Sequence, residues 1–184
     1  MSQIILVRHA EVKIDNPLIY SSQMKTWIEK YNTTAIDVTE ISDELKTLVE
    51  NADILLTSGL SRTKETLKIF NKEPDYSHIV FNEAELPYSD LTLFKIPANI
   101  WTIFFRIAWL LGYSNHSESY KEAKIRAEIA ADKLIDFTNQ YKNILFVGHG
   151  VMNRLIIKAL RKRGLVLKEK IGSGNLGYTI MESH

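Results

Sequence analysis

Three short apolar runs, residues 4–7, 54–56 and 144–147, constrain this chain more than any other feature. Each is too short for a helix, is bounded by polar residues or glycine, and has no alternation, so each reads as a strand buried on both faces. Weaker runs at 79–81 and 178–181 are further strand candidates. Helical patterns lie between them at about 41–50, 61–71, 117–140 and 150–163, the last carrying Val151, Leu155, Ile156 and Leu160 at helical spacing. Strands alternating with helices predict an α/β layered domain with a largely parallel sheet. With 184 residues the chain fits one domain, and at this size roughly 70% of the unfolded surface can be buried.

In open parallel sheets, ligands bind beyond the carboxyl ends of the strands. Three strand ends here carry cationic or imidazole side chains. The first run ends in "LVRHAEV", placing Arg8 and His9 at the rim of the sheet. The second leads into "GLSRTKET", where Ser61 is a candidate helix cap and Arg62 falls in the first helical turn, beside a terminus that favours anions. The third leads into "GHG", with His149 between two glycines at the entry to the last long helix.

Two guanidinium forks match phosphate oxygens, and two imidazoles serve as nucleophile, donor or acid. These residue types suggest a covalent route. A neutral nitrogen of His9 attacks phosphorus, the arginines and a protonated His149 hold the equatorial oxygens, and a carboxylic acid protonates the leaving oxygen. The acid is Glu83 or Glu85, both in "FNEAELPY" just beyond the run at 79–81.

Other functions are excluded or left without support. There are no cysteines, which removes disulfides, thiolate metal sites and a thiol nucleophile. Lys and Arg number 23 against 22 Asp and Glu, and a net charge of +1 gives no general drive toward nucleic acid or membranes. Arg8 and Arg62 at the same strand ends would repel a divalent cation, so neither a metal nor any other cofactor is expected. The chain opens without a basic leader and apolar stretch, which predicts a cytoplasmic protein.

"LVRHAE", "SGLSRTKET", "FNEAEL" and "FVGHG", in this order and spacing, resemble the histidine phosphatase superfamily, in its phosphoglycerate-mutase-like branch. The resemblance implies a three-layer α/β sandwich with a mostly parallel central sheet flanked by helices, and metal-free hydrolysis of a phosphate monoester through a phosphohistidine on His9. It also assigns phosphate binding to Arg8, Arg62 and His149 and proton transfer to Glu83, with Glu85 as the alternative and Asn16 as a further phosphate contact. The substrate is then a phosphorylated small molecule or phosphoprotein. A non-catalytic phosphate or phosphoprotein binder, and a mutase-type phosphoryl transferase, are the alternative readings. Two positions depart from the family pattern. Ala10 stands where glycine is usual, and Val12 where a hydroxyl residue is usual.

The stretch "IPANIWTIFFRIAWLLGY", residues 96–113, is shorter than a membrane span and carries Arg106. It reads as a buried or lid-like helix begun by Pro97, within an insertion at about 87–116 of one domain covering 1–184. A homodimer contact or a membrane-surface contact are its other uses. The basic stretch 158–170 reads as cations gathered at a helix end near Gly164. His78, His116 and His184 sit in polar or terminal sequence and read as solvated.

Overall fold

A computed structural model describes residues 2–37 and 40–183. The elements run β1 (Gln3–Arg8), β2 (Leu18–Ile19), α1 (Met24–Thr33), α2 (Asp43–Glu50), β3 (Ile54–Ser58), α3 (Ser61–Lys68), β4 (Tyr76–His78), β5 (Ile96–Pro97), α4 (Ala98–Leu110), α5 (Tyr120–Phe137), β6 (Asn143–Gly148), α6 (Gly150–Lys162), β7 (Val166–Ile171) and β8 (Tyr178–Glu182). Six strands form one sheet in the order β4-β3-β6-β1-β8-β7. The first four of these are mutually parallel, and β8 and β7 close the other side antiparallel.

Alternation along the strands builds three layers. Ile4 and Leu6 of β1 join Leu56 and Phe146 under α5 and α6, and Ala123, Ala127, Ala130 and Ala131 form the face that α5 turns into this cluster. Ile5 and Val7 point the other way and join Leu145 and Val147 against Leu45 and Val49 of α2 and Leu67 of α3. The parallel register pairs Arg8 with Gly148. His9 and His149 therefore leave the sheet side by side.

The expected strand at 79–81 is instead a 3-10 turn. The strand ends one residue earlier, at His78, whose Nδ1 accepts the Val80 N–H at 3.1 Å and turns the chain. The run is apolar because Val80 and Phe81 drop into the core. The edge strand β7 has every position exposed and so gives no periodic signal. The expected buried helix at 96–113 is α4, and it buries one face only. Ala98, Trp101 and Phe105 pack with Ile19 and Met24 into a third apolar cluster, while Ile100, Ile103, Phe104, Ile107 and Leu110 are exposed. Among the described residues, no helix is long and apolar enough to cross a membrane.

Much of the basic stretch is satisfied internally. Arg163 pairs with Glu128 and Asp132, Lys162 with Glu128, and Lys168 with Glu182. The helix ends at Gly164, whose φ of +88° suits glycine.

Candidate active site

His9 is buried at the end of β1. Its Nδ1 lies 2.6 Å from the Ala10 carbonyl oxygen, which can only accept, so Nδ1 carries the proton and Nε2 keeps a lone pair. Arg62 Nε donates to that Nε2 at 3.2 Å. Burial first, then the Arg62 and Arg8 charges, lower the His9 pKa to about 3 despite the opposing Ala10 carbonyl. The ring is neutral at physiological pH.

Arg62 is itself buried in the first turn of α3. Its Nη1 donates to Asn32 Oδ1 at 2.8 Å, and its guanidinium sits 5.2 Å from the Tyr31 ring centroid. α1 thus holds the arginine from above. Ser61 is not the cap of α3. Leu60 occupies that position, and Ser61 Oγ instead donates to the Asn32 carbonyl at 3.1 Å. Arg8 donates through Nη1 to the Ser173 carbonyl at 3.3 Å, while its buried Nε has no partner.

His149 is fully buried, its ring 5.2 Å from that of His9 and edge-on to it. Its Nε2 meets Ser58 Oγ at 2.7 Å, and its Nδ1 is buried without a partner. From the sequence this histidine is expected to carry a positive charge. Complete burial first, then Arg62 and His9, push its pKa well below the usual value, so it is neutral.

Glu83 faces the same cavity. Its carboxylate accepts backbone N–H groups from Ala84 at 2.9 Å, Met152 at 2.9 Å and Val151 at 3.2 Å, the last two at the start of α6. Glu85 is tied elsewhere, accepting the Glu118 N–H at 2.7 Å. Asn16 is not brought to the site. Its Oδ1 accepts the Asn99 N–H at 2.9 Å and so caps α4, a use that the sequence spacing could not separate from phosphate binding.

Arg8, His9, Arg62 and Glu83 line one cavity of about 890 Å³, walled further by α1, α4 and the segment 82–88. His149 lies behind this lining. Val12 is buried, and its backbone forms an isolated β-bridge with Ile36. Among the described residues, no group of three His, Cys, Asp or Glu is placed to hold a metal ion.

The model of the histidine phosphatase superfamily (branch 1) matches residues 4–184. The chain belongs to this superfamily. Solved structures agree on the fold of this histidine phosphatase superfamily member. It is similar to a protein described as mycobacterial hydrolase 1, at 16% identity and a TM-score of 0.60 over 100% of this chain and 90% of that one. A phosphoserine phosphatase variant from Entamoeba histolytica in complex with phosphoserine matches at 19% identity and 0.52, over 98% and 90%. An alpha-ribazole phosphatase from Shigella flexneri matches at 18% and 0.52, over 85% and 78%. No curated protein sequence matches the chain.

The structure adds positioning residues to this histidine phosphatase superfamily site that sequence reasoning missed. Asn153 Oδ1 accepts the His149 N–H at 3.1 Å while its Nδ2 donates to the Val7 carbonyl at 3.1 Å, tying both loops together. A Cβ at Gly148 would lie 2.2 Å from that Oδ1, so glycine is required there. Thr66 Oγ1 accepts the Ala10 N–H at 3.0 Å, and Asn175 Nδ2 donates to the His9 carbonyl at 2.9 Å. A signal existed for Asn153 and Thr66, since each is a polar residue on the inward face of a helix.

Proposed function

We propose that this protein is a metal-independent phosphohydrolase that cleaves phosphate monoesters through a phosphohistidine on His9. The observation that carries the reading is the fixed tautomer. With the Nδ1 proton held by the Ala10 carbonyl, Nε2 presents a lone pair beside Arg62 at the floor of an open cavity. In the first step the Nε2–P bond forms and the ester P–O bond breaks. Arg8 and Arg62 neutralise the equatorial oxygens, and protonated Glu83 gives its proton to the leaving oxygen. The Ala10 carbonyl supports the positive charge that develops on the phosphorylated ring. In the second step water attacks phosphorus, the Glu83 carboxylate takes its proton, and phosphate leaves with neutral His9 restored.

Phosphatases among the structural neighbours are consistent with this chemistry. In this reading the segment 87–116 is the wall over the substrate, and the protein's own guanidinium groups supply the positive charge. The test is phosphate release from a panel of phosphorylated metabolites and peptides, with acid-labile phosphoryl labelling. Wild-type protein turns over and is labelled, and His9→Ala does neither. Full hydrolysis by His9→Ala would overturn the proposal.

One contact favours a second reading, a phosphate binder without turnover. Arg62 Nε occupies the His9 lone pair, and attack requires that this bond yield to a phosphate oxygen. Rapid labelling followed by turnover eliminates that reading.

A further inference from the structure

We infer that the phosphate ester this site takes carries an apolar body of several carbons in place of a sugar or amino-acid body. The inference rests on the reading above for which end of the cavity holds phosphate. The cationic floor fixes that end, and the walls above it decide what the rest of the substrate must be.

Many polar side chains of those walls are already engaged within the protein. Arg106 donates to the carbonyls of Ala84 at 3.0 Å and Glu85 at 3.3 Å. Arg126 donates to the carbonyls of Val80 at 3.0 Å and Asn82 at 2.7 Å and pairs with Glu118. Glu85 and Glu118 exchange backbone-to-carboxylate bonds of 3.3 Å and 2.7 Å. Asn82 Oδ1 accepts the Gly59 N–H at 2.8 Å, and Thr102 Oγ1 donates to the Ala98 carbonyl at 3.0 Å. Hydroxyls of a sugar would compete with these bonds. Among the described charged side chains of the wall, Lys25, Glu29 and Arg154 alone lack a protein partner, and all three are exposed to solvent.

Beside these groups, apolar side chains form a continuous part of the wall. Ile103 and Ile107, one turn apart on α4, line it while 57% and 55% exposed, and Ile79 lines the opposite strand end at 71% exposed. Trp27 and Ile28 of α1 and Leu86 continue this surface into the third apolar cluster. Side chains so exposed gain by being covered, and an alkyl or aryl group anchored through its phosphate would cover them.

The experiment compares n-hexyl phosphate, ethyl phosphate and glucose 6-phosphate, whose leaving alcohols are chemically alike, by phosphate release. Hexyl phosphate is expected to show at least a tenfold higher kcat/KM than the other two. The double variant Ile103→Asn, Ile107→Asn, made on exposed positions, is expected to lower the hexyl-to-ethyl ratio at least threefold. A ratio near one, a preference for glucose 6-phosphate, or a ratio that the double variant leaves unchanged would overturn the inference. Binding of n-hexylphosphonate and ethylphosphonate by calorimetry separates the two readings. If no ester is hydrolysed but hexylphosphonate binds at least tenfold tighter, the phosphatase reading falls and the apolar body stands. If neither rate nor affinity discriminates, the apolar body falls.

Discussion

Lowering the pH from 7.5 to 5.0 will destabilise this protein through its candidate active site. His9 has a folded-state pKa of about 3 against an ordinary value of 6.5. Between those values the unfolded chain binds a proton that the folded chain refuses. The free energy of unfolding therefore falls as pH falls through this window and is unaffected by His9 above it. At about 1.4 kcal/mol per pH unit, the loss attributable to His9 reaches about 2 kcal/mol at pH 5. His149 is displaced in the same direction by its burial and adds to the loss. For a chain of this size, about 2 kcal/mol from His9 alone lowers Tm by roughly 4–8 °C. Urea unfolding of wild-type and His9→Gln proteins at pH 7.5, 6.0 and 5.0 isolates the contribution. The stability difference between the two is expected to shift by about 2 kcal/mol in favour of the variant across the series. Parallel pH dependences would refute the claim that burial beside Arg62 and Arg8 keeps His9 uncharged.

Four further outcomes follow from the geometry. Asn153→Ala strands the buried His149 N–H, which costs about 1–3 kcal/mol by urea unfolding. Arg62→Lys loses the fork held by Asn32 and is expected to lower kcat/KM for any accepted ester by about 10²–10³-fold in steady-state assays. Asn16→Ala removes a cap of α4, costing about 1 kcal/mol in thermal unfolding, with KM expected to change less than about twofold because Asn16 lies outside the cavity. Trp109→Ala, in a fully buried position with its indole N–H on the Glu118 carbonyl, costs about 3–5 kcal/mol by urea unfolding.

The central strands were legible because they are buried on both faces and leave an uninterrupted apolar signature. β1, β3 and β6 appear in the structure where the runs at 4–7, 54–56 and 144–147 predict them. The convergence of Arg8, His9 and Arg62 was legible for the same reason, since parallel register delivers strand ends to one rim. α1 was not, because only Met24 of its ten residues is buried and Trp27 and Ile28 are spaced among charges. The charge on His149 was not legible either. Residue type sets an ordinary titration range, whereas the lowered one follows from burial first and then from the Arg62 charge, which is a property of packing. Asn16 and Asn32 show the same limit: both are asparagines near the site in sequence, and only the path of α1 decides which one meets Arg62.

The third apolar cluster has a consequence for how this protein could be reshaped. Ile19, Met24, Ala98, Trp101 and Phe105 share no member with the two clusters that sandwich the sheet. The upper cavity wall rests on this cluster through Ala98, Trp101 and Phe105, while Trp109 ties the far end of α4 into the cluster under the strands. Ile103 and Ile107 are exposed and belong to none of the three clusters, so side chains there can be exchanged without touching the packing beneath Arg8 and His9.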